Sequence, residues 1–114
     1  MPPGKWWDRS DVIKKLKLKA DQRKQMDQVF QEMRGRLMEL NMSVDREEAA
    51  LEPLMEASPL DDSKILPQID RIAQARADLE KMEARLVLGL RHVLTADQWK
   101  LLQSELEPPE PRRQ

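Results

Sequence analysis

The chain has 114 residues, with 20 Lys and Arg, 21 Asp and Glu, a single His, no Cys and a net charge of −1. That length gives one domain on the usual range of roughly 100–200 residues, and the charge balance excludes a global polyanion-binding signature. Without Cys there is no disulfide, thiolate metal site or Cys nucleophile.

Large aromatics are confined to Trp6, Trp7, Phe30 and Trp99. This is too little bulk for a thick core and suits a thin helical layer with wet polar faces. Glu, Lys, Arg, Gln, Leu, Met and Ala dominate, and these favour helix. Val and Thr are scarce and Tyr is absent, which argues against a sheet. The fold class is therefore all-α. No apolar run is long enough to span a bilayer, and Met1-Pro2-Pro3-Gly4 is not followed by the apolar stretch of a signal peptide.

In chain order, residues 1–8 read as a flexible lead-in. Ser10 is placed to cap a short helix carrying Val12, Ile13 and Leu16. After a break near Leu18–Lys19, a long helix runs from about Ala20 to about Ala57. Its apolar seam is Met26, Phe30, Met33, Leu37, Leu40, Val44, Leu51 and Leu54, in alternating steps of four and three. Pro53 should kink or end it. The cluster Ser58-Pro59-Leu60-Asp61-Asp62-Ser63 is a turn. A third helix starts between Asp61 and Pro67, with a seam of Ile65, Ile69, Ile72, Arg76, Leu79, Glu83, Leu86, Leu90 and Val93, widened by Ala73 and Met82. A fourth, short helix after Leu94 carries Trp99, Leu102 and Leu106. Pro108, Pro109 and Pro111 then end regular structure, so 107–114 reads as a disordered tail.

The expected architecture is a long antiparallel helical hairpin with short helices at each end, in one domain over 9–106. A hairpin cannot cover both sides of its own seam, so the short helices should dock on it and the chain should pair as a homodimer. Charge is uneven. Residues 1–36 carry ten basic and five acidic groups, and residues 37–62 carry eight acids against Arg46 alone. These zones either are solvated faces or organise a partner contact or antiparallel self-contact.

The most informative local motif is Leu94-Thr95-Ala96-Asp97-Gln98-Trp99. Thr95 can cap the last helix, with Gln98 reaching back to the Thr95 N–H, as in a capping box. Leu94 and Trp99 are spaced as a hydrophobic staple, and Asp97 favours the positive helix end. A second copy, Leu18-Lys19-Ala20-Asp21-Gln22, keeps Leu18 and Gln22 but has Lys19 where the Thr would be. Lys cannot accept a hydrogen bond, so that corner should be less well capped.

Two copies of Leu-Thr-x-x-Gln spacing, one near each end of a helical chain, resemble the Spy/CpxP family and the related ZraP and CnrX proteins. The Trp6-Trp7 start and the run Val12-Ile13-Lys14-Lys15-Leu16 resemble that group too. The resemblance spans about Trp6 to Leu106, and departs from the family pattern at Lys19. It implies a periplasmic envelope-stress protein, an antiparallel cradle-like homodimer, and ATP-independent binding of unfolded or aggregation-prone proteins, or restraint of an envelope sensor. For ZraP- and CnrX-like members it implies metal resistance or sensing. If the protein is exported, as the resemblance implies, its signal or anchor is expected to lie outside this sequence.

The residues bear on these readings unequally. For client binding, Met38 and Met42 share a helical face flanked by Arg34 and Arg36, and flexible thioethers suit promiscuous apolar surfaces. The plainer reading of Met26 and Met33, which lie on the seam, is core. For metal, zinc or nickel needs about three or four ligands. His92 is the only His, and the plainer reading of it is a favourable group at a helix C-terminus. No cofactor is expected. No phosphate loop or nucleophile–base pair supports an enzyme. The basic run Lys14–Lys24 lacks interleaved aromatics, so no nucleic-acid partner is expected. A purely structural helical docking module would use the same fold.

Overall fold

The computed structural model describes residues 4–106. A short 3-10 turn, Trp6–Asp8, precedes four helices: α1 (Ser10–Leu16), α2 (Ala20–Glu56), α3 (Asp62–Val93) and α4 (Ala96–Leu106). The described residues contain no strand, and α2 and α3 form the long hairpin. The proposed tail, 107–114, and Met1–Pro3 lie outside the described residues.

The described residues divide into two compact units, one of residues 4–30 with 87–106 and one of Gln31–Leu86. Both division points fall inside helices, α2 and α3, so no linker in the sequence marks them.

In the first unit, the flexible lead-in expected over residues 1–8 is corrected at its second half. Trp6 and Trp7 are each 1% exposed, and Trp6–Asp8 is ordered as a turn. The two indoles meet edge to face with centroids 5.4 Å apart, and Trp7 meets Phe30 at 6.0 Å. Burying two indoles removes a large apolar area from water, which is reason enough for this segment to be fixed. The Trp7 indole N–H donates to Asp27 Oδ1 at 2.7 Å, and Lys5 lies 3.4 Å from the same oxygen. Asp8 pairs with Arg23 of α2 at 3.4 Å. The α1 helix packs on the Trp turn and on α4, burying Val12 and Leu16. Ser10 is its first helical residue rather than its cap. Arg9 holds the cap position with no side-chain capping bond, its guanidinium donating to Asp11 instead.

The end of α1 is closed by Lys17 in the left-handed conformation, φ 53°. The Leu18 N–H then reaches Ile13 O at 3.1 Å, the bond that closes a Schellman-type end.

In the second unit, α2 buries Leu40 and Val44 and half-buries Met33, Leu37, Glu47, Leu51 and Leu54, the seam in steps of four and three. It passes through Pro53 and ends three residues later, at Glu56. The start of α3 is set by Asp61, whose carboxylate accepts from the Ser63 N–H at 3.0 Å and from the Ser63 hydroxyl.

The α3 seam differs from the expected one at three positions. Gln68, Ala75 and Met82, the last expected only to widen the seam, face inward, whereas Ile69, Arg76, Glu83 and the expected widening residue Ala73 are exposed. The phase follows Ile65, Ile72, Leu79 and Leu86, and the intermediate step is three residues where four was expected. Gln68 is only 5% exposed because its amide is bonded: Nε2 donates to Glu47 O at 2.8 Å and to Glu47 Oε2 at 3.1 Å, and Arg71 donates to its Oε1 at 3.1 Å.

Candidate functional site

The two motif copies meet in the first unit. In the complete copy the Gln98 N–H donates to Thr95 Oγ1 at 3.1 Å, and the Thr95 N–H donates to Gln98 Oε1 at 2.9 Å. Both arms of a capping box are present. In the other copy the Lys19 N–H donates to Gln22 Oε1 at 3.0 Å, but Lys19 offers no acceptor in return. That corner has one arm.

The glutamines also do something the spacing did not reveal. Gln22 Nε2 donates to Gln98 Oε1 at 2.8 Å, and Gln98 Nε2 donates to Gln22 Oε1 at 3.2 Å. Each amide spends its second N–H on the end of another helix: Gln22 on Val93 O at 3.2 Å, Gln98 on Leu16 O at 3.0 Å. Every donor and acceptor position of both amides is filled. Two side chains thus join the ends of α1 and α3 to the starts of α2 and α4. These are the backbone groups that helices leave unpaired. Local sequence logic found each cap, but no local signal pairs residues 22 and 98.

Beside this junction, Leu94 is buried and Trp99 half-buried. The Arg91 guanidinium lies over the Trp99 ring at 5.0 Å. Both line an open depression of about 360 Å³ with Leu88, His92, Thr95 and Ala96. His92 is exposed in the last turn of α3. Among the described residues no group of three or more His, Asp or Glu could hold a metal ion.

The second unit carries the residues considered for client binding. Met38 and Met42 are 57% and 64% exposed. With Arg34 they follow one another at intervals of four, along one face of α2. Arg36 is two residues from both Arg34 and Met38 and so faces elsewhere. It donates to Glu39 at 3.1 Å and, with Met42, Leu40, Ser43, Arg46 and Asp78, edges a shallow groove. The structure therefore brings Arg34, Met38 and Met42 to one stripe, with Arg36 off that stripe but on the same groove as Met42. It also exposes Met55, Leu60 and Leu66, and Ile69, which was expected on the α3 seam.

No helix among the described residues is long and apolar enough to cross a membrane. Asp27 and Asp61 are held below the ordinary aspartate value by hydrogen bonds, from Trp7 and from Ser63 respectively, and both bonds belong to fold elements.

Neither a curated protein nor a solved structure matches the chain. A family model described as heavy-metal resistance matches residues 14–100, from α1 through the junction to α4. The match covers both glutamines and the whole hairpin, so this chain belongs to the heavy-metal resistance family, which includes Spy-, CpxP-, ZraP- and CnrX-type proteins.

Proposed function

We propose that the chain is an ATP-independent envelope-stress protein of the periplasm, working as a homodimer, which binds unfolded or exposed segments of other proteins without catalysis. The observation that carries this reading is the amount of large apolar side chain left in water on the second unit. Met38, Met42, Met55, Leu66 and Ile69 are each more than 40% exposed, while Leu40, Val44, Ile65, Ile72 and Ala75 on the seam are buried. Methionines on a surface adapt to many partner shapes, and apolar patches of this kind mark interaction sites. The family is one of resistance and sensor-type proteins rather than enzymes, in keeping with a binding role.

The test is suppression of aggregation of several unrelated unfolded clients, without nucleotide, at several-fold molar excess of this protein. Suppression of all of them supports the reading, and none overturns it. Saturable one-to-one binding to a single partner would instead favour a docking or sensor-restraining module.

The family's description also keeps a metal reading in play. A second chain would have to complete the ligand set, for example by bringing two His92 together with carboxylates. Zinc or nickel titration in the same assay, followed by calorimetry, tests it. Stoichiometric tight binding lost in His92→Ala would establish a metal role.

A further inference from the structure

Three exposed apolar residues near the turn of the hairpin fall on one flank. Glu48 of α2 accepts from Arg76 of α3 at 2.6 Å, which places these two positions on the same side of the hairpin. At about 100° per residue, a step of two turns returns to nearly the same face. Met55 stands two turns beyond Glu48 on α2, and Ile69 two turns before Arg76 on α3. Both therefore share the flank marked by the ion pair. Leu66 lies one turn before Ile69 on the same stripe. Met55, Leu66 and Ile69 are 53%, 61% and 43% exposed.

Apart from Arg76, which is paired with Glu48, and Lys64, the charges around this flank are acidic. Residues 37–62 carry eight acids against Arg46 alone. Glu52, Glu56, Asp61 and Asp62 are all exposed around the turn, and Asp70 is exposed beside Ile69. Glu48 is committed to Arg76, and Lys64 is the one cation between residues 47 and 70. An apolar strip with a methionine, rimmed by carboxylates, repels acidic segments and favours segments that present apolar and cationic groups together.

We infer that this flank, Met55–Leu66–Ile69 with its acidic rim, is a docking surface for cationic amphipathic segments of partner polypeptides. An amphipathic helix laid along it places its apolar stripe on Leu66 and Ile69 and its Lys or Arg flanks over Glu52 and Glu56. The inference rests on the segment-binding reading above and adds the chemical class of segment.

The test uses the full chain and two labelled synthetic peptides of about 18 residues with the same helical Leu pattern, one with Lys and one with Glu at the polar positions. Fluorescence anisotropy should show the Leu/Lys peptide binding at least about ten-fold more tightly than the Leu/Glu peptide, with the preference shrinking as salt is raised. The double substitution Leu66→Ser with Ile69→Ser, at exposed positions, should weaken Leu/Lys binding by about ten-fold or more. Glu52→Gln with Glu56→Gln should lower the salt dependence, and Leu88→Ser, in the other unit, should change neither. Circular dichroism shows whether the variants keep their helix, and the two peptides compared on the unaltered chain need no variant at all. Equal affinity for both peptides, or unchanged affinity in the Leu66/Ile69 variant, overturns the inference. So does protection of a Cys placed at Ile69 from labelling in the protein alone, which would mean that a second copy covers the flank. A protein that suppresses client aggregation yet ignores the Leu/Lys peptide refutes this inference and leaves the broader reading standing. One that binds the peptide but suppresses no aggregation does the reverse.

Discussion

Gln22 and Gln98 lie 76 residues apart in sequence and donate hydrogen bonds to each other, at 2.8 and 3.2 Å. Because each also caps the carbonyl end of another helix, removing either one strands several groups at once. Gln98→Ala leaves Leu16 O, the Thr95 N–H and half of the Gln22 amide without partners, and should cost about 2 kcal/mol or more. Urea unfolding of Gln22→Ala, Gln98→Ala and the double variant gives the coupling directly. It should fall within about 0.5–3 kcal/mol, the range for residues in one network. Additive losses would mean that the amides act independently. Gln98→Glu separates donation from acceptance. Its carboxylate still accepts from Thr95 but cannot donate to Leu16 O or to Gln22. The variant should be weak at pH 7 and regain stability once the carboxyl is protonated.

The two motif copies differ in how well they are capped, and the difference is correctable. Lys19→Thr supplies the missing acceptor and should stabilise the chain by about 1 kcal/mol, whereas Lys19→Ala should not. Thr95→Ala should cost a similar amount. Next to it, Lys17 holds φ 53°. A non-glycine residue in that region costs roughly 1–2 kcal/mol, part of which glycine gives back through its freedom in the unfolded chain. Lys17→Gly should therefore gain about 0.5 kcal/mol, read as a higher urea midpoint at unchanged slope.

What the sequence revealed and what it hid divide along a physical line. The α2 seam was legible because nearly every inward position is apolar, and the Thr95–Gln98 cap was legible because all its atoms lie within four residues. The α3 seam was misphased at Gln68 and Ala75, where the inward residue is polar or small. Ile69 is the better apolar candidate, but Gln68 is the buried residue, since its amide finds Glu47 on the other helix. That contact has no local signature. Trp6 and Trp7 looked like part of a loose start because no local pattern shows that α1 packs on them, and the partners of Trp7, Phe30 and Asp27, lie a helix away. The Gln22–Gln98 pair was hidden for the same reason, although the repeat that contains it was plain. The exposed Met38 and Met42 were readable from their offset to the seam. The flank of Met55, Leu66 and Ile69 needed the corrected phase of α3.

Stability should depend on pH through two aspartates. The Trp7 N–H lowers the affinity of Asp27 for its proton, opposed by partial burial and assisted by Lys5 and Arg23. The Ser63 hydroxyl and backbone do the same for Asp61. A carboxyl whose folded value is depressed contributes its stability above the unfolded value and loses it as pH falls through the folded one. The ordinary aspartate value is 3.8, so both contributions are in place at neutral pH, begin to fade as pH approaches 3.8, and are lost below it. Asp27→Asn should be less stable than the parent at pH 7 and closer to it at pH 3. Equal differences at both values would show that the Asp27 charge does not matter. Tryptophan fluorescence offers a local readout, because Trp7 carries the bonded N–H.

Gln68 supplies a polar layer inside an otherwise apolar seam, and such a layer can fix register at some expense in stability. Gln68→Leu fills the same space without the amide. Glu47 is half-buried and can turn its carboxylate to water, so this substitution should leave stability within about 1 kcal/mol of the parent or raise it. Gln68→Ala removes volume as well as bonds and should cost about 2 kcal/mol. The distinguishing measurement is register. Spin labels at exposed Asp45 and Asp70 should give one narrow distance distribution in the parent and a broader one in Gln68→Leu. A distribution as narrow as the parent's would mean that apolar packing at Ile65 and Ile72 already fixes the alignment of the helices. The Gln68–Glu47 bonds would then serve only to satisfy a buried amide.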